Sequence, residues 1–597
     1  MLAVIANRGP DGQMQFVNER VSFGFSRLSI NDLSDNGNQP MFSNDDRLIS
    51  MMNGEIYNAP ELRRELESLG YRFRGSSDAE VVPHGYAEWG TELFGRLRGM
   101  FAIAVFDRGA NQLTLARDHF GIKPLYYAKT SDGVVFSSSA RAVSLHSEVG
   151  QGLSEKSIVE FLRFRYVQSG EPLYERVRSL QPGFFLQCGN SEIRLVRYWS
   201  RPRYESQSNA SFDEQVEQFE AALSTSVRRE LLSDVPLGVL LSGGVDSGAV
   251  LAAAGGTPEL IAYTFDMGGS TSEVRNAEVI SRRYGARHVV VNANRDDFVD
   301  TFVKAIQCMD LPVGDAIIAP TYQLLGEVRK ERKVVLTGEG ADELMAGYVH
   351  IGPLKLLGSL ASMGIPARSL AAVIRCVPWR VLNHFFAYDA VLGRSGKRKV
   401  IEIVNHSRRP ELALAHATSV FGSDQVEMGT YLSSALPHSP IDDLSLSSLI
   451  DWGFSSWLPN QILNKMDQLS MAHGVEARVP FVDVDLYERV TSLESSMLLS
   501  RRGNKRILRE TLKKWGYQEH QRPKQAFFQP MTDQHIADLE RVAREWLSAS
   551  VVAKHGIVRN QLVTDVMSEL RSGDFLAGKQ VMTLAALHIW LDQDFRR

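Results

Sequence analysis

Apolar positions along the chain follow two different rhythms. Up to about residue 198 they fall in short β-branched and aromatic runs, such as Met100 to Asp107 and Val134 to Ser138, broken by Gly, Asn, Asp and Pro. That is the pattern of strands bounded by turns. After Ser211 the spacing turns helical, with Val216, Phe219, Leu223 and Val227 on one face. Ser211 and Glu214, three residues apart at its start, can exchange hydrogen bonds as a capping box. Further apolar runs follow at Leu237 to Leu241, Leu260 to Phe265, His288 to Val291 and Val334 to Leu336, separated by helix-length segments. Strands alternating with helices in this way predict a parallel, doubly wound sheet. From about 349 to 450 the pattern is helical and less regular, with no internal repeat. Between the two rhythms, residues 199–210 carry Pro202 and several Ser, Gln and Asn residues, so an exposed linker is expected there. The chain thus divides into 1–198, a linker 199–210, and 211–597. A length of 597 residues agrees, because single cores stop growing near ~250 to 300 residues.

Composition removes options. With 23% charged residues and a formal net charge of -4, the chain lacks the basic excess that phosphate neutralisation requires, so no nucleic-acid partner is expected. Cys188, Cys308 and Cys376 are too few and too scattered for a disulfide framework or a CxxC metal site. Residues Met1 to Ala6 are too short for a signal-peptide core. The apolar stretch Leu354 to Val377 is interrupted by Lys355, Arg368 and Arg375, so it predicts a buried helical region, not a membrane span. A cytoplasmic location is the resulting expectation.

Two strand-turn-helix segments carry candidate chemistry. In Leu237-Gly-Val-Leu-Leu-Ser-Gly-Gly-Val-Asp-Ser247 an apolar strand runs into a glycine turn and then a small-residue helix. Backbone N–H groups of such a turn, at a helix amino terminus, favour phosphate. The spacing is not that of a Walker A loop. In Val334-Val-Leu-Thr-Gly-Glu-Gly-Ala-Asp-Glu-Leu344 glycines flank Glu339, while Asp342 and Glu343 stand where a helix should begin. Carboxylates at strand ends suit magnesium, which prefers oxygen ligands and shares its shell with phosphates. Each turn alone reads equally well as a structural βα turn or a helix cap.

Taken together, and continued by Asn464-Lys-Met-Asp-Gln-Leu-Ser-Met-Ala-His473, Gly474 to Phe481, Lys505 to Glu510 and Arg522-Pro-Lys524, these segments resemble the synthetase half of the asparagine synthetase B family. The resemblance implies an ATP-pyrophosphatase domain that converts a carboxylate into an acyl-adenylate, which ammonia then attacks. It implies ATP against Leu241, Ser242, Gly243, Gly244, Asp246, Ser247, Phe265, Thr337 and Gly338, and magnesium on Asp246 and Asp342. Lys505 would neutralise pyrophosphate, and Glu339 would accept a proton from ammonia or orient the acceptor acid. Glu476 and Arg478 fall in the stretch resembling the acceptor region, with a helix-end ion pair as the alternative.

The first domain is similar to class II glutamine amidotransferases through Arg8-Gly-Pro-Asp-Gly12, Arg27 to Ile30, Asn53-Gly-Glu-Ile-Tyr-Asn58, Ser76 to Glu80 and Asp118 to Tyr127, in order. The resemblance implies an αββα sandwich of the amino-terminal-nucleophile type. Arg27 and Asp78 would hold glutamine beside Glu55, and Asn53 and the Gly54 amide would form an oxyanion hole. One departure is large. The family's nucleophile is a cysteine at the chain start, whereas this chain begins Met1-Leu2 and has no cysteine before Cys188. Roughly 20 residues, about one strand and one helix, are missing relative to the family, which predicts an unpaired edge and a core gap. Either Met1 is internal to a longer chain or glutaminase activity is lost; residues 1–597 as they stand are expected not to hydrolyse glutamine. Smaller departures are Ser137 to Ala142 and Ser270 to Glu273. The expected acceptor is L-aspartate, with the same chemistry on a uronic or natural-product acid, or a catalytically silent relative, as alternatives. Relatives are often dimers, and the sequence leaves oligomeric state open.

Overall fold

The computed structural model describes every residue except 190–191, 205–209, 268–270, 294–297, 379–380, 383–393, 423–424, 426–440, 501–502, 518–530 and 596–597. The Arg522 to Lys524 segment and Ser270 therefore lie outside the described residues.

The first domain is built on a six-stranded antiparallel sheet. The domain's strands are, in chain order, β1 (Gly12–Val17), β2 (Ser22–Arg27), β3 (Met41–Phe42), β4 (Leu48–Ile56), β5 (Gly99–Asp107) and β6 (Gln112–Arg117). They continue with β7 (Tyr126–Lys129), β8 (Val134–Ser137), β9 (Arg178–Ser179), β10 (Phe184–Gly189) and β11 (Glu192–Arg197). The six-stranded order is β11-β10-β6-β5-β4-β3, with β1-β2 and β8-β7-β9 forming a second, broken layer. Alternation along β5 shows why two layers form. Phe101, Ile103 and Val105 face the helices Ala59–Ser68 and Val81–Trp89, while Ala102, Ala104 and Phe106 face Phe23, Leu125 and Leu180 of the second layer. Successive side chains of a strand point to opposite faces, so a strand apolar at every position must be covered on both. Behind the second layer, the helices Ala140–Ser144 and Glu155–Phe164 pack on Tyr126 and Ala128 and complete the αββα sandwich.

The second domain holds the expected parallel sheet, from β12 (Leu237–Leu240), β13 (Ile261–Asp266), β14 (Arg287–Asn292), β15 (Val334–Leu336) and β16 (Glu476–Arg478). Their order is β14-β13-β12-β15-β16, all parallel. The chain winds outward from β12 to β14, then returns to place β15 on the other side of β12. The β12/β15 crevice is thus the switch point at which open α/β sheets bind ligands. The helix Phe212–Glu230 opens the domain, and its capping box between Ser211 and Glu214 is formed in both directions.

Two expectations are corrected. The stretch Leu354 to Val377 is helical, as Ile351–Ser362 and Ala367–Cys376, but it is not buried. Its apolar residues at three- and four-residue spacing are shared between faces, so Leu354, Leu357 and Ala371 are covered while Leu356 (61%) and Val373 (61%) are exposed. The described part of the linker, residues 199–204, is clamped instead of free. Trp199 packs edge-on against His119 and Phe120, Arg201 reaches Asp451 at 3.2 Å, and the Tyr204 hydroxyl donates to the Leu493 carbonyl. Aromatic and arginine side chains in an otherwise polar segment supply that anchoring. Among the described residues no helix is long and apolar enough to cross a membrane.

Candidate functional site

The turns after β12 and β15 meet. Leu241, the last apolar residue of the first, is buried and donates its N–H to the Tyr263 carbonyl on β13. The chain then turns through Ser242, Gly243 and Gly244 into the helix Val245–Ala253, whose amino-terminal N–H groups face out of the sheet's carboxyl edge. Gly243 has φ +71°, and a Cβ there would stand 2.5 Å from the Glu273 carbonyl, so only glycine makes the turn. The Ser247 hydroxyl accepts the Ser242 N–H at 3.1 Å and ties the two ends of the loop together. Tyr517 closes it from below by donating to the Gly244 carbonyl at 3.3 Å.

On the second turn the Thr337 N–H donates to the Arg478 carbonyl at 2.9 Å, and Gly338 lies directly against the first loop. Gly340, at φ +87°, swings the chain into the helical turn Ala341–Leu344. Asp246 and Asp342 then converge on one group. The Lys505 Nζ lies 2.6 Å from Asp246 Oδ1 and 2.5 Å from Asp342 Oδ1. Burial opposes the charge of Lys505, yet the two carboxylates outweigh it and hold the ammonium above its ordinary pKa. Gly347 leaves the room, since a Cβ there would be 2.0 Å from Asp342 Oδ1 and 2.2 Å from Lys505 Cε. The mouth stays open: Ser242 and Gly244 are exposed, and Phe265 and Thr337 are buried in the walls.

Glu339 stands at the same mouth in a different electrical setting. Burial pushes its carboxyl up to about 7, with Lys465 pulling it down and Glu343 pushing it further up. Its Oε2 is buried and has no hydrogen-bond partner among the described residues. A carboxyl balanced near neutrality in a cleft suits proton transfer.

The first domain contains a cavity of about 590 Å³. Arg27, Asn53, Gly54, Glu55 and Asp78 all line it. The Arg27 guanidinium donates to the Ser34 carbonyl at 3.0 Å, to Asn38 Oδ1 at 2.8 Å and to the Asp32 carbonyl, so the 32–38 loop fixes it on the wall. The Asn53 Nδ2 is buried without a partner among the described residues. Asp78 accepts the Ile56 N–H at 2.8 Å and is raised to about 6 by burial. None of the three cysteines lines the cavity.

Glu476 and Arg478, expected near the acceptor, belong to the domain junction. Residues two apart on β16 share a face, and that face looks at the first domain. Arg478 is fully buried, binds Glu476 at 2.9 Å, approaches Glu55 at 3.6 Å, and donates to the Glu230 and Leu232 carbonyls. Lys123 approaches Glu476 and Asp467, and Arg8 pairs with Asp467 at 2.9 Å. Sequence reasoning assigned no role to Lys465, Asp315 or Tyr517. Lys465 lies inside a segment quoted for resemblance, but the other two are single polar residues in loops and carry no local signal.

Two family models match the two domains. Residues 218–592 match the family model for asparagine synthase, and residues 1–199 match that for the glutamine amidotransferase domain. A Mycobacterium bovis protein is 30% identical across 98% of this chain and 92% of its own length. The glutamine-hydrolysing asparagine synthetase 1 of Bacillus subtilis is 29% identical, over 85% of this chain and 80% of its own. Amidase chry2 of Gibberella zeae is 27% identical, over 98% and 92%. Among solved structures, glutamine phosphoribosylpyrophosphate amidotransferase from Bacillus subtilis matches at 14% identity with a TM-score of 0.26, over 57% of this chain and 73% of that one, too slight a likeness to argue from.

Proposed function

This chain belongs to the asparagine synthase family, and from that premise we propose that it converts L-aspartate to L-asparagine, consuming ATP and releasing AMP and pyrophosphate. It is an enzyme of the glutamine-hydrolysing asparagine synthetase type. The observation that carries the reading is the convergence of Asp246 and Asp342 on Lys505 at the switch point of the parallel sheet.

A carboxylate repels nucleophiles and must first be activated, so its oxygen attacks the α phosphate and pyrophosphate leaves. The amides of Ser242 to Gly244 and the amino terminus of Val245–Ala253 cradle phosphate oxygens. Leu241 and Phe265 flank the adenine, with Thr337 and Gly338 closing the other side. Asp246 and Asp342 would hold magnesium: two carboxylates aimed at one cationic point match an ion that binds one or two carboxylates and completes its shell with phosphate and water. When bound, magnesium neutralises phosphate charge during the displacement. Lys505, fixed by the same carboxylates, faces the departing pyrophosphate. Glu339 takes a proton from ammonia as it attacks the activated carbonyl, or orients the acceptor for it.

In the first domain Arg27 and Asp78 would bind the ends of glutamine, beside Glu55, and the orphaned Asn53 amide with the Gly54 N–H would receive the developing oxyanion. A cytoplasmic setting, which supplies ATP and free amino acids, suits this chemistry, and a homodimer is compatible with it. A second reading keeps the chemistry and changes the acid, as in amidation of a uronic acid.

The test is pyrophosphate release from ATP and magnesium with ammonium or glutamine and a panel of acids. Release with L-aspartate, coupled to asparagine formation, is the expected result. Release with uronates alone would move the assignment to the second reading.

A further inference from the structure

The helices Ile351–Ser362 and Ala367–Cys376 have apolar side chains on two sides, and only one side is used by the fold. On the first helix Ile351, Leu354 and Leu357 pack inward. Pro353, Leu356, Leu360 and Met363 recur at three- and four-residue spacing on another side, where Leu360 is half-buried and the other three are exposed. Residues so spaced are neighbours along a helix, so they form one strip. On the second helix Ala371 is covered, while Ala372, Val373 and Cys376 are exposed. The turn between the helices is Met363-Gly-Ile-Pro366. Gly364, at φ +80°, donates its N–H to the Ala361 carbonyl at 3.1 Å, and the Ile365 N–H donates to the Leu360 carbonyl at 3.2 Å. Those two bonds make a Schellman turn, which fixes the tip. Exposed turns are ordinarily built from polar residues, yet this one presents Met363 at 75% exposure with Ile365 beside it.

Charge decides what such a face can meet. Between Met345 and Ile401 the sequence holds Asp389 as its one carboxylate against eight Lys and Arg side chains, although the whole chain is net -4. Arg368, Arg375 and Arg398 are exposed, and they make no ion pair among the described residues. Surface arginines elsewhere do pair, as Arg96 with Glu65 and Arg571 with Glu540. Arg368 and Arg375 flank Ala372, four residues before it and three after, so cations border the exposed apolar strip of their helix. A second copy of the chain fits poorly. Across a two-fold axis the same patch meets itself, and cations with almost no carboxylates among them would face each other. A nucleic acid would answer the charge, but its bases stack on aromatic rings, and the exposed side chains of the strip and tip are aliphatic or sulfur-bearing. A bilayer surface answers both features. Its acyl boundary accepts aliphatic side chains, while its phosphates meet arginine heads whose stems lie along the apolar strip.

We infer that the hairpin of Ile351–Ser362 and Ala367–Cys376 is a docking surface for an anionic lipid bilayer, with Met363 and Ile365 entering the headgroup region and Arg368 and Arg375 bound to lipid phosphates. The attachment is peripheral, along one face, and spans nothing. It goes beyond the ligase reading and does not depend on it.

The experiment is flotation of the full chain with vesicles of phosphatidylcholine alone or of phosphatidylcholine mixed with phosphatidylglycerol. Binding to the mixed vesicles, at least tenfold weaker with phosphatidylcholine alone and largely reversed at roughly 1 M salt, where the Debye length is about 3 Å, is the expected result. Each cation near an anionic surface is worth roughly fivefold in affinity, so joint Arg368→Gln and Arg375→Gln should weaken binding about 25-fold. Joint Met363→Ser and Ile365→Ser should weaken it on the order of tenfold or more. All four side chains are exposed, so both double variants should keep the parent's thermal unfolding and pyrophosphate release. A polarity-sensitive dye on Cys376, the exposed cysteine, should shift to the blue with mixed vesicles. No binding to mixed vesicles overturns the inference, as does binding unchanged in both double variants. Concentration-dependent self-association that Met363→Ser and Ile365→Ser abolish, without vesicle binding, would give the face to a second copy instead. An RNA oligonucleotide bound more tightly than the mixed vesicles, through the arginines alone, would give it to nucleic acid.

Discussion

Gly338 packs so closely against Ser247 that a methyl group at residue 338 would stand 2.7 Å from the Ser247 amide nitrogen and 3.1 Å from the Asp246 Cβ. The two loops that carry the candidate metal ligands therefore touch through backbone, and neither contact atom is the end of a flexible side chain. Gly338→Ala must push one loop away from the other. Since a displacement of about 1 Å can cost on the order of a hundredfold in rate, this variant should lose at least that much pyrophosphate release. Its thermal unfolding should shift by only a few degrees, because the loops lie at the mouth of the site. Full activity in Gly338→Ala would mean that the loops do not act together.

Glu339 gives the account a pH signature. Its carboxyl, raised to about 7 by burial, is protonated below that value and ionised above it, so a proton-accepting role predicts activity that rises with pH through about 7. Rates must be plotted against free ammonia, to remove the separate ionisation of ammonium. Glu339→Gln should abolish the inflection and lower kcat by roughly 10²- to 10⁴-fold, the usual scale for general acid–base catalysis, with ATP affinity little changed. An inflection that survives in the glutamine variant would assign it to another group.

At the domain junction, Arg478 is the cation between Glu476 and Glu55, with its backbone carbonyl bonded to the Thr337 N–H. Arg478→Met would leave Glu55 without its cation and Glu476 with Lys123 alone, at 3.9 Å. Removing one partner of such a group typically costs about 3 to 5 kcal/mol. Urea unfolding should register that loss, and ammonia-dependent synthesis should fall with it because the Thr337 to Gly340 turn rests on β16. A variant as stable as the parent would show that the junction is held by its apolar contacts alone.

What was legible in the sequence was local. Ser211 and Glu214 signal a helix start because the two partners of a capping box lie three residues apart, and the strand-turn-helix runs at 237 and 334 signal β12 and β15 through apolar content and glycine placement. What was not legible depends on distant partners. The two-residue period of β16 puts Glu476 and Arg478 on one face, but only the approach of Glu55 from the other domain decides which way that face looks. The helices between Leu354 and Val377 have a covered side set by neighbours such as Leu444 and Leu449, not by their own sequence. Residues 199–204 read as linker by polarity, while Trp199, Arg201 and Tyr204 find anchors contributed by residues 119, 120, 451 and 493.

Equilibrium binding of a non-hydrolysable α,β-methylene ATP, with and without magnesium, to the parent chain and to Asp246→Asn and Asp342→Asn tests the central claim most directly. The account predicts that magnesium tightens binding to the parent and that either substitution removes most of that gain, leaving the magnesium-free affinity nearly unchanged. Magnesium-dependent binding that persists undiminished in both variants would contradict it.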